Sequence, residues 1–475
     1  MSEHIDILIV GFGAIGTIYG YLLSQNPKVR VTGIARSQAD SFNANGVNIE
    51  SERHGSIKGW RPYRVVKDAA DAADRPYAFI IACFKCLPDL LPSASVLAPF
   101  LDSSFAQENG GPTLVLIQNG LGIEHPVQVA YPKVPIISAV AWIGANLLPG
   151  PTVTHGMLEE LIVGLYQGEG GVDENHANSL GDPAGYSLEG GEERRKIGLA
   201  NTKQFADLLN SGGGKCTLVD DIQPKRYEKV LWNACWSALC SLSRQTVSEM
   251  VAPQSLPYTL PIVRRLGLEV IYIAREWGYA EDVLPLKAVD DMIKITIKNY
   301  QSKTDVSTPA TPMLRGDCYG GMGFPLGPSG ANPTKDFKPS MLLDIEAGRP
   351  SELEPIIGSL LDRARVKGVE TPRLDLIYAT LKVNQAIAIH RYAESPEHQE
   401  HIKNWFLRKP AVGGAGIDGR KQWDKAVKRA QEERAENVAV RMVILASASA
   451  KASANALNHL TRQMEGRRCV TELCF

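Results

Sequence analysis

The sequence has no excess of charge of either sign and no long hydrophobic run. Its 475 residues include 51 Lys and Arg against 52 Asp and Glu, so the basic surplus typical of nucleic-acid-binding proteins is missing. The longest uncharged apolar stretch, 134–148, contains a proline and is shorter than the ~20 residues of a membrane-spanning helix. We therefore expect neither a nucleic-acid nor a membrane partner.

Cysteine and targeting signals are also scarce. Eight cysteines in a chain of this length do not form a disulfide scaffold. The first residues are acidic rather than arginine-rich and precede no long apolar region, which predicts a cytoplasmic protein. Hydrophobic residues make up 44% of the chain, enough for a sizeable core, and the length predicts two or three domains.

Short apolar runs alternate with helical patterns over the first 150 residues. The runs that predict strands are 5–10, 29–36, 77–84, 113–118 and 135–140. Continuous apolar strands separated by helices indicate a parallel sheet covered on both faces. We therefore predict an α/β fold, with a Rossmann-type domain over 1–220.

The rest of the chain divides into a helical domain and a tail. Residues 167–195 are rich in Gly, Glu and Asp and predict a surface insertion in the first domain. Helical periodicity dominates 221–394, interrupted by a loop at 302–338. The tail, 395–475, carries 14 Lys and Arg against 9 Asp and Glu, a net of +5, and predicts a basic helical extension.

A glycine-rich turn follows the first predicted strand and opens a helix. It consists of Gly11, Phe12, Gly13, Ala14, Ile15 and Gly16. The three glycines permit a tight turn, close approach of a pyrophosphate and close helix–strand packing, while the helix N-terminus favours the anion. The turn predicts a dinucleotide site, the alternative being a turn that only packs.

The end of the second predicted strand distinguishes between dinucleotides. A NAD site places Asp or Glu there to bind the ribose hydroxyls, whereas this chain has Arg36. A guanidinium binds a 2′-phosphate through bidentate, charge-assisted hydrogen bonds. The sequence therefore favours NADP(H), the alternative being a solvated charge at the strand end.

Polar residues follow two further predicted strands. Lys85 and Asn119 stand at the carboxyl ends, where open α/β sheets bind ligands, although turn chemistry alone also explains Asn119 and its glycine. Cys83 and Cys86 bracket Lys85 without a second Cys or His pair at metal spacing, so we expect no metal site.

Polar residues recur on an otherwise apolar helix of the second domain. Lys229, Asn233 and Ser237 fall on one helical face within about 80°. A lysine ammonium in apolar surroundings needs hydrogen-bond or charge partners, or it serves a function there. The alternative is a side chain that extends to solvent. Further on, Ser340 and Glu352 precede helical patterns, and helix capping is the ordinary explanation for both.

These residues, in this order, resemble the ketopantoate reductases (2-dehydropantoate 2-reductases), especially their longer fungal-like members. The matching pieces are 11–16, Arg36, 84–85, 116–120, 227–229 with Asn233, 339–341 with Asp344, and 348–352. The resemblance covers about residues 5–390. It implies a Rossmann domain joined to a helical domain, with the site in the cleft between them.

The resemblance also implies roles for several of the matched residues. Lys229 takes the place of the proton donor, and Glu352 that of the acidic residue near it. The substrate-binding positions are Asn233, Ser237 and Ser340, and the cofactor contacts are Arg36, Lys85 and Asn119. The chain departs from the family at Ser237, where many members have asparagine, in the insertion and the long loop, and in the tail.

The function implied is NADPH-dependent reduction of a 2-keto acid, with ketopantoate to pantoate, a step of pantothenate biosynthesis, as the expected reaction. A small keto acid is then the partner. One alternative is a reductase of the same fold acting on a bulkier secondary-metabolite ketone. Another is a non-catalytic NADP(H)-binding sensor that uses the basic tail as its partner surface. The oligomeric state stays open, a homodimer being one expectation.

Overall fold

A sheet built on a parallel core forms the N-terminal half of the protein. The computed structural model describes residues 4–106, 111–168, 191–301, 337–396, 399, 400 and 405. Its strands are β1 (Ile5–Val10), β2 (Val29–Ile34), β3 (Val47–Ser51), β4 (Gly55–Trp60), β5 (Arg64–Val66), β6 (Phe79–Ala82), β7 (Thr113–Leu116), β8 (Ile136–Leu147), β9 (Thr152–Leu165) and β10 (Cys216–Leu218). Six of them run parallel in the order β5-β2-β1-β6-β7-β8. This is the strand order of a Rossmann sheet, and it confirms the predicted α/β fold.

Helices between these strands cover the sheet. They are α1 (Ala14–Ser24), α2 (Ala39–Asn45), α3 (Ala69–Ala72), α4 (Ser93–Leu101), α5 (His125–Ala130) and α6 (Gly191–Ser211). Apolar side chains of β1, β2, β6 and β7 pack with α1 and α6 into one core. The last residues of the predicted insertion 167–195 belong to α6, which begins at Gly191. Glu192 and Glu193 in the first turn of that helix are placed where acidic residues favour a helix.

The sheet extends beyond its parallel core through strands that the apolar runs do not reveal. β8 continues past the predicted 135–140 to Leu147 and pairs antiparallel with β9, which in turn pairs with β3. β9 alternates between buried and more exposed residues over its first half and carries polar residues such as Glu160. Half-buried strands of this kind lack the continuous apolar pattern of parallel strands.

Helices dominate the C-terminal half, as predicted. They are α7 (Gln223–Trp232), α8 (Ala238–Ser243), α9 (Val247–Met250), α10 (Leu256–Glu276), α11 (Lys287–Tyr300), α12 (Ser340–Glu346), α13 (Ser359–Lys367) and α14 (Pro372–Glu394), with π-helical segments at Asn233–Ser237 and Glu354–Gly358. The chain between α10 and α11 turns near Gly278, whose φ is +91°. Within the described residues, no helix is long and apolar enough to cross a membrane.

Parts of three predicted segments lie outside the described residues: 169–190 of the insertion, 302–336 of the loop, and most of 395–475. The predicted domain boundary at 220 falls between β10 and α7.

A buried arginine attaches the helical half to the sheet. Arg226 of α7 is 2% exposed, and its Nε lies 2.6 Å from the Glu124 carboxylate and donates to the Ser138 hydroxyl. Its terminal nitrogens donate to main-chain carbonyls of Gln118, Gly120, Leu116 and Ala139. A guanidinium suits this site because its several N–H donors can bind a carboxylate and several main-chain carbonyls at once. Arg226 therefore fixes α7 at the carboxyl edge of β7 and β8.

Replacing this arginine should destabilise the whole fold. Arg226→Met leaves the Glu124 carboxylate buried without its cation, so we expect the free energy of unfolding to fall by about 3–5 kcal/mol. Arg264→Met is the matched control, because it removes an exposed ion pair with Asp290 and should cost less than about 1 kcal/mol. Urea unfolding followed by circular dichroism measures both, and equal losses in the two variants would contradict the anchoring role.

Candidate active site

The turn between β1 and α1 has the backbone that a dinucleotide needs. Gly11 has a φ of +94°, and a Cβ there would stand 2.6 Å from the Phe84 amide nitrogen, so a larger residue is excluded. A Cβ at Gly16 would stand 2.5 Å from the Gly11 carbonyl oxygen. A Cβ at Gly13 would meet no atom within 4 Å, in front of the N-terminus of α1. This open cradle fits an anionic pyrophosphate.

The remaining residues of the turn pack against the core of the sheet domain. Phe12 is buried, its amide donates to the Ile34 carbonyl at 2.8 Å, and its ring packs edge-to-face on Phe42. Ala14 and Ile15 form the first turn of α1 and are half-buried. The predicted strand–turn–helix arrangement is therefore present in full.

A cavity of about 450 Å³ lies against the glycine turn. It is lined by the carboxyl ends of β1, β2 and β6, by the segment that follows β6, and by parts of the C-terminal half. Its lining residues include Gly11, Gly13, Arg36, Lys85, Leu90, Val96, Arg349, Tyr392 and Trp405. β1 and β6 flank the point where the strand order reverses, which is where open α/β sheets bind ligands.

Arg36 lies two residues beyond the end of β2, not within it as the run 29–36 predicts. The side chain is exposed and lines the cavity, and its Nη1 donates to the Tyr392 hydroxyl at 3.1 Å. In the part of the chain that the structure describes, no carboxylate forms an ion pair with this guanidinium. The positive charge therefore remains available to an anion in the cavity.

Lys85 connects the two halves of the cleft. Its ammonium forms an ion pair with Asp344 of α12, whose buried carboxylate also accepts from Arg349 at 3.1 Å. Lys85 itself is exposed and lines the cavity beside Arg349. Asp344 thus holds two cations at the wall of the cavity.

Glu352 is bound to the sheet side of the cleft. Its Oε1 accepts from the Cys86 amide at 3.1 Å, and its Oε2 accepts from the Asn119 side chain at 2.8 Å. The carboxylate is 8% exposed, and burial raises its pKa, opposed by these two hydrogen bonds and by the charge of Lys85. Asn119 and Glu352 are therefore brought together across the cleft.

The close approach of these two residues depends on Gly120. Its φ is +105°, and a Cβ there would stand 2.4 Å from the carbonyl oxygen of Pro355. The next amide, that of Leu121, donates to the same carbonyl at 2.9 Å. The turn after β7 therefore rests directly on the π-helical segment that follows Glu352.

Lys229 lies in the last turn of α7 and reaches β8. Its ammonium donates to the Ala141 carbonyl and stands 5.8 Å from the centre of the Trp142 ring. Burial lowers the pKa of Lys229 to about 8; the negative charge of Glu352 opposes this shift, and the charge of Arg226 adds to it. The side chain is half-buried, so the ammonium is poised to exchange a proton near neutral pH.

Lys229 and Glu352 interact through their charges without touching. No Nζ–Oε distance between them is within 4 Å, so the direct contact by which Glu352 would orient the ammonium is not formed. The physical reason is that both Glu352 oxygens already accept from the Cys86 amide and Asn119, while the ammonium donates to Ala141. The carbonyl of Ala141 takes the orienting part instead.

Asn233 and Ser237 begin and end a π-helical segment, which corrects the predicted uninterrupted α-helix. The wider i→i+5 turn changes the angle between Ser237 and Lys229, and π-bulges are frequent at functional sites. Asn233 is half-buried, and its side-chain amide makes no hydrogen bond to the described residues, whereas Ser237 is buried in the helical core.

Ser340 is the first residue of α12 and is exposed. Its side chain makes no cap hydrogen bond, and Pro339 occupies the N-cap position, so helix capping does not explain Ser340. Ser340 shares α12 with Asp344, the partner of Lys85. Of these two residues, Asp344 contacts the wall of the cavity through Lys85.

The two cysteines that bracket Lys85 are free thiols. Burial raises the pKa of both Cys83 and Cys86 to about 12, so both stay protonated at neutral pH. Among the residues that the structure describes, no group of His, Cys, Asp and Glu has the arrangement of a metal site.

Three site residues were not assigned from the sequence. Asp344 is the one acid in an otherwise apolar turn of α12, a signal that marks a buried, paired carboxylate. The Ala141 carbonyl has no signal in the sequence, because any residue supplies a carbonyl. Tyr392 lies 356 positions from Arg36, and no local pattern connects them.

Comparison with known proteins places this architecture in a family. The family model "Ketopantoate reductase PanE/ApbA" matches residues 7–168. A second family model, "Ketopantoate reductase PanE/ApbA C terminal", matches residues 221–385. Together they match more than two thirds of the chain.

Individual relatives agree with this match. An uncharacterized protein of Saccharomyces cerevisiae is 25% identical over 80% of this chain and 93% of its own length. A 2-dehydropantoate 2-reductase of Nostoc is 24% identical over 79% of this chain and 93% of its own. The crystal structure of 2-dehydropantoate 2-reductase from Methylococcus capsulatus, 25% identical, covers 81% of this chain and 98% of its own with a TM-score of 0.57. The chain belongs to the ketopantoate reductase family, whose members are NAD(P)-dependent oxidoreductases.

Proposed function

We propose that this protein reduces 2-dehydropantoate to pantoate with NADPH, and that Lys229 is the proton donor. The observation that carries the proposal is the state of the Lys229 ammonium. It is half-buried, has a pKa of about 8, and is coupled by charge to Glu352 in the cleft. A solvent-exposed lysine without charged neighbours would keep a pKa of about 10.4.

The chain holds a dinucleotide along the carboxyl edge of its sheet. The amides at the N-terminus of α1 bind the pyrophosphate beside Gly13, and Arg36 binds the 2′-phosphate of the adenosine ribose. When bound, the nicotinamide supplies the hydride that reduces the keto carbon. Asn119 and Glu352, bound to each other, hold the turns after β6 and β7 in place beside it.

Lys229 moves the proton. Below a pH of about 8 its Nζ is protonated, and one N–H points to the Ala141 carbonyl, which fixes the ammonium. A second N–H is then donated to the keto oxygen as negative charge develops there. Burial stabilises the neutral amine that remains, and the half-exposed side chain regains a proton from solvent.

Asn233 and Ser340 bind the substrate in this proposal. The side-chain amide of Asn233 lies one turn from Lys229. It is half-buried and has no hydrogen-bond partner among the described residues. It is suited to a hydroxyl or carboxylate of a keto acid. The exposed Ser340 hydroxyl at the start of α12 supplies a second contact, and the buried Ser237 supports this face of the helix from within.

A substrate panel tests the proposed reaction. 2-Dehydropantoate, smaller 2-keto acids and bulkier ketones are each incubated with NADPH and NADH, and the loss of cofactor absorbance is followed. We expect the highest kcat/KM for 2-dehydropantoate with NADPH. A preference for a bulkier ketone would reject this substrate while keeping the reductase activity, and no consumption with any ketone would favour a cofactor-binding sensor.

Removing the proton donor should abolish most of the activity. Lys229→Ala is expected to lower kcat by at least ~100-fold, because general acid catalysis contributes about 10²–10⁴-fold. The Kd for NADPH should stay nearly unchanged. Lys203→Ala, an exposed lysine of α6, is the control and should keep full activity. Turnover of Lys229→Ala close to that of the wild type would reject the assignment.

The pH profile should report the same lysine. Its ammonium is present below a pH of about 8 and is lost above it, so kcat should fall as the pH rises through about 8. Since the charge of Glu352 raises the pKa of Lys229, Glu352→Gln should move this descending limb to lower pH by about one unit. Glu346→Gln, an exposed acid of α12, is the control. A limb that does not move in Glu352→Gln would contradict the coupling.

The choice of cofactor should depend on Arg36. Arg36→Ala removes charge-assisted hydrogen bonds to the 2′-phosphate, so the KM for NADPH should rise by about 10- to 100-fold while the KM for NADH is almost unaltered. Arg265→Ala, an exposed arginine of α10, should change neither value. Equal losses with both cofactors would show that Arg36 does not bind the 2′-phosphate.

A further inference from the structure

Two aromatic residues at the wall of the cavity come from beyond the reductase family models. The C-terminal model ends at residue 385, whereas Tyr392 near the end of α14 and Trp405 after it both line the cavity. On the same cavity lie the glycine turn and Arg36. The chain after the family match therefore forms part of the proposed cofactor site.

Tyr392 bonds to the residue proposed to bind the 2′-phosphate. Its hydroxyl accepts from Nη1 of Arg36 at 3.1 Å. Arg36 is exposed and on a long, flexible stem, so its bond to the half-buried Tyr392 restricts where its guanidinium points. A hydroxyl is neutral, and unlike a carboxylate it leaves the full positive charge of Arg36 for an anion. The contact thus orients the guanidinium without weakening its attraction for a phosphate.

Trp405 forms a different part of the wall. It is 6% exposed, its indole nitrogen donates to the Val96 carbonyl at 3.2 Å, and its ring packs edge-to-face on Phe100 with centroids 6.1 Å apart. Both partners belong to α4, so the tryptophan is held on the sheet domain. Together with Leu87, Leu90 and Leu91 it gives this side of the cavity an apolar surface. Flat apolar and aromatic walls of this kind hold planar rings.

We propose that two residues beyond position 385 complete the cofactor site: Tyr392 is a positioning residue that holds Arg36 for the 2′-phosphate, and Trp405 forms the wall against which the adenine ring packs. The inference rests on the proposed use of NADPH. It assigns phosphate selectivity to Tyr392 and general adenine affinity to Trp405.

Binding of two cofactor fragments to the full chain separates these roles. 2′,5′-ADP carries the 2′-phosphate and 5′-AMP differs only in lacking it, and isothermal titration calorimetry gives the Kd of each without any turnover. Tyr392→Phe should weaken 2′,5′-ADP by about 5- to 10-fold and leave 5′-AMP unchanged. Trp405→Ala should weaken both fragments alike, by about 3- to 10-fold. Tyr258→Phe, an exposed tyrosine of α10, is the control and should change neither Kd.

Two further variants test whether each residue acts as proposed. If Tyr392 acts through Arg36, the Tyr392→Phe change should have no effect on 2′,5′-ADP binding in the Arg36→Ala background. Trp405→Phe keeps a flat ring and should retain most of the affinity for both fragments, even if Trp405→Ala unfolds at a lower temperature. A Tyr392→Phe effect that persists without Arg36 would overturn the positioning role, and equal losses in Trp405→Phe and Trp405→Ala would overturn the adenine wall.

Binding of the two fragments to the wild-type protein separates a failure of the proposed cofactor from a failure of the inference about Tyr392. If it binds 2′,5′-ADP no more tightly than 5′-AMP, the choice of NADPH is wrong, and the role of Tyr392 fails with it. If it prefers 2′,5′-ADP and Tyr392→Phe keeps that preference in full, only the inference about Tyr392 is wrong. The choice of ketone in the substrate panel is independent of both outcomes.

Discussion

The buried guanidinium of Arg226 decides where the helical half stands on the sheet. It binds the carboxylate of Glu124 and the carbonyls of Gly120, after β7, and Ala139 of β8, and so fixes α7 against the sheet. Lys229 lies three residues further along the same helix, which brings its ammonium to the Ala141 carbonyl of β8. The charge of Arg226 also helps to lower the pKa of Lys229. One anchoring contact therefore both places and tunes the proposed proton donor.

Two opposing effects set the state of that donor. Burial favours the neutral amine, while Glu352 favours the ammonium from beyond contact distance. Because the Cys86 amide and Asn119 hold both oxygens of Glu352, the acid cannot collapse onto the lysine and bind its proton in an ion pair. The balance leaves a cation that gives up a proton near neutral pH, which a direct, closed ion pair would oppose.

Distant parts of the chain supply the two ends of the proposed cofactor site. Arg36, Tyr392 and Trp405 lie at one end. At the other, Asn119 after β7 binds Glu352 of the C-terminal half. Lys85 and Asp344 bridge the sheet and α12 between them. Apolar packing supplies the wall beside α4, and three cations, Arg36, Lys85 and Arg349, stand elsewhere on the lining. The cleft is thus a joint product of the sheet, the helical half and the chain beyond it.

The sequence alone determined the glycine turn, the parallel core of the sheet, the helical second half and the basic residue after β2, because each depends on residues close together in the chain. It did not determine the antiparallel strand β9 or the π-helical segments next to Lys229 and Glu352, since half-buried and irregular elements lack a clear period. Tertiary structure alone decided that Glu352 binds Asn119 rather than Lys229 and that Tyr392 meets Arg36. Contacts between residues hundreds of positions apart arise from packing, and no local pattern of side chains encodes them.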